Sequence, residues 1–154
     1  MRKLFVMALS LIFLLAGCFH IISDKSRALA DRSVTFSQLR ENPDSFRGRF
    51  VILGGAVTGI RQSKEGVRLE VVEYPLDIED MPDTSSDSRG RFLVDLPPDV
   101  GYATFKPGML VTMAGAVAGK YVKPLDKADY TYPVIVVKEI HLVVPSRPVN
   151  YRSY

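Results

Sequence analysis

Phe50-Val51-Ile52-Leu53-Gly54-Gly55-Ala56-Val57-Thr58-Gly59 and Leu110-Val111-Thr112-Met113-Ala114-Gly115-Ala116-Val117-Ala118-Gly119 are two apolar stretches that carry glycine at matching places. Val51 and Val111, Gly55 and Gly115, and Gly59 and Gly119 each lie 60 positions apart. Their richness in Val, Ile and Leu reads as strand. A glycine inside a strand marks a bulge or a tight bend, and small barrels need such bends to close.

Three more strands follow from alternation. In Gly66–Tyr74, Val67, Leu69 and Val71 share one face and Arg68 and Glu70 the other. Arg91–Leu96 turns Phe92, Val94 and Leu96 inward, and Val134–Val144 begins as an apolar run and ends in alternation. Ser63-Lys64-Glu65-Gly66 reads as a hairpin turn. Before the first strand, Thr35 and Gln38 form a capping box, Val34 can staple to Leu39, and Pro43 ends a helix of about two turns. The expected fold is all-β and mainly antiparallel, with one short N-terminal helix. Five strands with bent first and fourth members fit a small OB-like barrel. The competing reading is an ordinary antiparallel sheet whose glycines share no purpose. The barrel domain is placed at residues 34–145. Two long links interrupt it: an acidic one, 75–88, and one at 120–133 carrying Tyr121, Tyr130 and Tyr132.

The ends of the chain say where it goes. Arg2 and Lys3 precede the apolar run Leu4–Ala16, the layout of an export signal. That run reaches about 20 Å as a helix, too short for a bilayer core of about 30 Å. It closes on Leu15-Ala16-Gly17-Cys18, which resembles the lipobox of bacterial lipoproteins. Small residues at 16 and 17 admit a peptidase, and the thiol at 18 is a nucleophile that diacylglycerol can cap. Residues 1–17 are therefore expected to be a signal peptide, and Cys18 the lipidated first residue of the mature chain. Its covalent diacylglycerol and N-acyl lipid are the only prosthetic groups expected. Cys18 is the single cysteine, so an internal disulfide is excluded. Losing Arg2 and Lys3 takes the formal charge from +3 to +1, so the basic balance is no nucleic-acid footprint. Residues 18–33, mostly polar, read as a lipidated tether, and residues 146–154 as a C-terminal tail.

The signal and Cys18 are followed by Arg68-Leu69-Glu70-Val71, Tyr74-Pro75-Leu76-Asp77, Ser88-Arg89-Gly90-Arg91-Phe92, Phe105-Lys106-Pro107-Gly108 through Gly115, and Tyr132-Pro133. In that order these resemble the Slp family, outer-membrane lipoproteins of Gram-negative bacteria linked to starvation and stationary phase. The resemblance implies an outer-membrane location and a stress-associated envelope role; the domain is expected to face the periplasm rather than the cell surface. It carries over no catalytic residues. Phe19 agrees by a separate route, since in many enterobacteria an acidic residue after the lipidated cysteine retains a lipoprotein in the inner membrane.

Candidate chemistry is sparse. His141 shares a strand face with Glu139, a pair that could orient an imidazole but equally suits a solvated sheet surface. The acids of the 75–88 link lack the glycine and terminal glutamate of a calcium loop, and no metal site is expected. No nucleophile elbow or phosphate loop is present, so an enzyme is not expected. Arg68 beside Glu70 and Arg91 beside Asp95 give the second and third strands mixed charge, which argues against nucleic acid. The expected activity is contact with another envelope protein through Tyr121, Tyr130, Tyr132, Tyr151, Tyr154 and Arg152. Tyrosine suits such surfaces by joining a large ring to a polar tip. The alternatives are a binding module for a periplasmic polysaccharide or peptide, or tyrosines 130 and 132 that merely cap the core.

Overall fold

The structure is a computed structural model and describes residues 19–144. The signal peptide, with Leu15, Ala16 and Gly17, lies outside the described residues, as do Cys18 and the tail with Tyr151, Arg152 and Tyr154.

Two short helices, α1 (Asp24–Leu29) and α2 (Phe36–Glu41), precede a 3₁₀ turn at Pro43–Phe46. Five strands follow: β1 (Phe50–Ser63), β2 (Gly66–Glu73), β3 (Gly90–Leu96), β4 (Leu110–Leu125) and β5 (Ala128–Val143). They close in the order β1-β2-β3-β5-β4, with β4 returning to β1. All neighbours are antiparallel except β3 and β5. This is the five-stranded Greek-key barrel of the OB type, and it removes the alternative of an open sheet.

The glycine echo has a physical cause. The pairing slips between Val57 and Gly59 on β1, and between Ala114 and Gly115 and between Val117 and Gly119 on β4, so Gly59, Gly115 and Gly119 sit at bulges. Gly119, at φ +122, adopts a backbone that side chains resist. Gly55 and Gly115 also solve a problem of close approach. A Cβ at Gly55 would lie 1.9 Å from the Val72 carbonyl oxygen, and one at Gly115 2.3 Å from that of Val136. Bending lets long strands serve two neighbours: β1 pairs with β4 through Phe50–Ala56 and with β2 through Gly55–Ser63.

The inward faces are those the alternation indicates. Leu69, Val71, Phe92, Val94, Val111, Met113 and Ile135 are buried in one cluster, joined by Phe36 and Leu39 of α2. Thr35 and Gln38 form the expected capping box, and Val34 packs against the same core.

Two expectations need correction. Residues 19–33 are not a free tether. Ile22 is 1% exposed, α1 is capped by Ser23, and Ser23 and Ser26 both donate to Glu139 of β5. Further along, the Asp31 N–H bonds the Phe50 carbonyl. Nor is 120–133 a loop. β4 and β5 run on as a paired arm, Tyr121 opposite Tyr132 and Lys123 opposite Tyr130, turning at Asp126 with φ 57. An alternation too polar to look like a core strand hid this arm.

Candidate functional site

β2 presents Arg68 and Glu70 outward, and its neighbours bring Arg61 opposite Arg68 on β1 and Asp95 opposite Arg68 on β3. The β4–β5 arm lies over this face. Leu93 of β3 meets Tyr132 and Val134 of β5 in a small apolar cluster at the base of the arm, with Tyr130 packed against it.

Glu70 ties the arm down. It receives Arg91 Nη1 at 3.0 Å, Lys123 Nζ at 2.5 Å and the Tyr132 hydroxyl at 3.3 Å. Burial disfavours its charge, but the hydrogen bonds and charges of Lys123 and Arg91 outweigh that and hold the carboxyl below its ordinary value. The same site pushes the Tyr132 phenol up to about 12, through burial first and then the negative charge of Glu70. A group that transfers protons at neutral pH needs a pKa near 7. Glu70 and Tyr132 are displaced in opposite directions from that value, as groups that hold geometry are.

The three tyrosines therefore part company. Tyr132 is 0% exposed and stacks edge-on against Tyr130 with ring centroids 4.6 Å apart. Tyr130 is half-buried, its hydroxyl accepting the Arg91 N–H at 2.8 Å. Tyr132 cannot be part of a contact surface, and Tyr130 serves β3 instead. Tyr121 is the exposed one, at 42%, with the Arg68 guanidinium 5.3 Å from its ring centroid. Arg68 also grips Asp95 bidentately at 2.5 and 2.8 Å. Around them Gly59, Arg61, Glu70 and Lys123 line a hollow of ≈ 70 Å³. Arg61 and Arg68 were not singled out from the sequence as contact residues; the one available signal was their outward register on β1 and β2.

A second hollow of ≈ 270 Å³ lies between residues 30–34 and the barrel. Three of its acids are matched locally, Asp31 with Arg49, Glu73 with Arg89 and Asp80 with Arg27. In the acidic link, Asp77 and Asp83 bond their own loop backbone. Among the described residues no group of acids, histidines or cysteine is placed to hold a metal.

His141 and Glu139 do meet, at 2.8 Å, but Glu139 is committed elsewhere. Burial works against its charge; the bonds from Ser26 and Ser23 and from His141 overcome this and bring its pKa down to about 2. A lowered carboxyl pKa stabilises the fold above the ordinary value of 4.5, and that contribution is lost as pH falls toward 2. The docked N-terminal segment is thus expected to loosen between those values. Glu139→Gln should reproduce the effect at neutral pH, costing about 1–2 kcal/mol after screening of a partly exposed group. Hydrogen exchange at the Ser23 amide of the full chain checks this; unchanged protection at pH 3 and in the variant would refute it.

Three comparisons bear on what this barrel is. The model of the outer membrane lipoprotein Slp family matches residues 15–154. The uncharacterized lipoprotein YeaY of Escherichia coli (strain K12) is 24% identical over 152 residues, covering 94% of this chain and 78% of its own length. Among solved structures, the mitochondrial single-stranded DNA binding protein Rim1 of S. cerevisiae aligns with TM-score 0.41 at 14% identity, over 62% of this chain and 95% of its own. Schizosaccharomyces pombe Pot1pC, bound to ssDNA, aligns with TM-score 0.34 at 14% identity, over 67% of this chain and 83% of its own. With the family match running from the end of the apolar leader to the last residue, the chain belongs to the Slp family of outer membrane lipoproteins.

Proposed function

We propose that this lipoprotein, held by lipid on Cys18 and facing the periplasm, serves a non-catalytic envelope role in stress adaptation by contacting another envelope protein. Its contact face is the outer surface of β1 and β2 beside the arm, where Tyr121, Arg61 and Arg68 converge. Tyr132 drops out of that face because it is buried, and Tyr130 because it is half-buried with its hydroxyl engaged by the Arg91 N–H. Tyr151, Arg152 and Tyr154 extend the proposal by composition alone, and no cofactor beyond the lipid is called for.

The observation that carries this reading is the composition and small volume of the hollow. Tyrosine and arginine dominate the energetics of protein interfaces, and here an exposed tyrosine stands beside two arginines. Sites that enclose small molecules span roughly 300–1,000 Å³, several times the ≈ 70 Å³ available. Arg68 is engaged by Asp95, and Lys123 and Arg91 by Glu70, which favours a protein partner over a nucleic-acid backbone. Family membership supports the envelope setting.

A photo-reactive phenylalanine at position 121 of the lipidated chain in intact cells tests the proposal. It should capture a discrete envelope protein, and Arg61→Ala should abolish the adduct. Absence of any protein adduct, or one indifferent to Arg61→Ala, would refute it. Binding to purified sacculi lost on Tyr121→Ala would instead establish the polysaccharide alternative.

A further inference from the structure

Three large apolar side chains stand almost fully in solvent: Phe19 at 82%, Ile78 at 87% and Val144 at 85% exposure. They are far apart in sequence and share one neighbourhood. The Ile21 N–H bonds the carbonyl of Glu79, the residue after Ile78. Ile21 also packs with Met81 and Tyr74 against Val143, the residue before Val144, together with Ala56 and Leu110. Phe19 precedes Ile21 by two residues.

The exposure of Ile78 is built rather than left over. Asp77 Oδ1 accepts the Glu79 and Met81 N–H groups at 2.8 and 2.9 Å, and the Asp77 N–H returns to the Met81 carbonyl at 2.9 Å. Leu76 bridges Pro82 below it, and the Thr112 hydroxyl of β4 holds the Asp80 carbonyl at 2.6 Å. Two acids of this loop are occupied by these tasks, Asp77 by the backbone and Asp80 by Arg27. The loop thus displays an isoleucine at a braced tip.

Chain length says what lies opposite. Cys18 is covalently next to Phe19, and Ile21 is already bonded to the barrel, so at most about 10 Å of chain separates the anchor from a docked residue. With lipid on Cys18, as the proposed function requires, the apolar tips cannot stand far from the bilayer. We infer that the barrel is seated on the leaflet that holds its anchor, with Phe19, Ile78 and Val144 set into the lipid interface. Position along the strands then orients the rest. The N-terminal segment and the 75–83 loop pack where Leu110 of β4 pairs with Val143 of β5. Tyr121 lies eleven residues further along β4, on the arm that Glu70 holds over β2 through Lys123. Seating the Leu110–Val143 end on lipid therefore turns the Tyr121 face away from the membrane. Three side chains add little to the hold of the acyl chains; what they supply is orientation.

The chain contains no tryptophan, so Ile78→Trp, Val144→Trp and Tyr121→Trp each introduce a single reporter at an exposed position. The full lipidated protein is placed in phosphatidylethanolamine–phosphatidylglycerol vesicles with or without bromine on the acyl chains, and Cys18 is checked by mass spectrometry on the same sample. Brominated lipid should quench most of the emission of the Ile78→Trp and Val144→Trp chains and protect both from aqueous iodide. The Tyr121→Trp chain should show the reverse. If vesicle-bound, lipidated Ile78→Trp ignores brominated lipid and is open to iodide, the seating is overturned while the anchor stands. Shielding from iodide without quenching by brominated lipid would mean that a second copy covers the face, which also overturns it. An unmodified Cys18 in a chain that fails to stay with the vesicles would overturn the anchor and, with it, the seating.

Discussion

Gly55→Val is expected to abolish cooperative folding of the barrel, and Gly115→Val to do the same. A Cβ at Gly55 falls 1.9 Å from the Val72 oxygen and 2.8 Å from its carbonyl carbon; at Gly115 it falls 2.3 Å from the Val136 oxygen and 2.9 Å from Val137 Cα. These obstacles are backbone atoms of paired strands, so relief requires breaking the register rather than turning a side chain. Gly55 sits where β1 passes from β4 to β2, and Gly115 is paired on both sides, with β1 and with β5. The loss should exceed about 4 kcal/mol, a large part of the roughly 5–15 kcal/mol that holds a domain together. Gly59→Ala is the matched control: its Cβ would meet the Glu70 Cβ at 3.5 Å, an ordinary contact. Thermal unfolding followed by circular dichroism decides the matter. A Gly55→Val chain that melts cooperatively within a few degrees of the parent would mean that these glycines do not permit closure.

Cys18→Ser is expected to remove the protein from the outer-membrane fraction and to leave residues 1–17 attached, without harm to the barrel. Serine cannot take the thioether-linked diacylglycerol. Each buried lipid CH₂ contributes about 0.8 kcal/mol, and stable attachment takes two acyl chains. Nothing among the described residues replaces that hold, since no helix there is long and apolar enough to cross a membrane and Phe19, Ile78 and Val144 are single side chains. Membrane fractionation reads the location, and mass spectrometry reads residue 18. An unmodified Cys18 in mature protein recovered from the outer membrane would refute the lipid anchor. The unfolding transition of the variant should match that of the parent, which separates loss of anchoring from loss of fold.

Neighbouring residues wrote much of the barrel into the chain. Alternation over Gly66–Glu73 set which side chains face inward, because successive strand residues point to opposite faces. Thr35 and Gln38 marked a helix start within one turn. The matched glycines announced bent strands because glycine admits the close backbone approach at Gly55 and Gly115 and the positive φ at Gly119. The leader and Leu15-Ala16-Gly17-Cys18 are likewise a local pattern, and the family they point to matches the chain from residue 15 onward.

What barrel closure alone decided are partnerships between residues remote in sequence. Ser23 meets Glu139 across 116 positions, and that contact turns an apparent tether into a docked segment. Glu70 meets Lys123 across 53 and Tyr132 across 62, and those contacts fold the arm onto β2 and β3. Three tyrosines of equal promise in the sequence thereby acquire three fates: Tyr132 buried, Tyr130 spent on a backbone amide of β3, Tyr121 exposed beside Arg68. Periodicity tells which side of its own strand a residue takes. It is silent on what another strand lays over that side, since the covering strand is chosen by the order in which the ring closes.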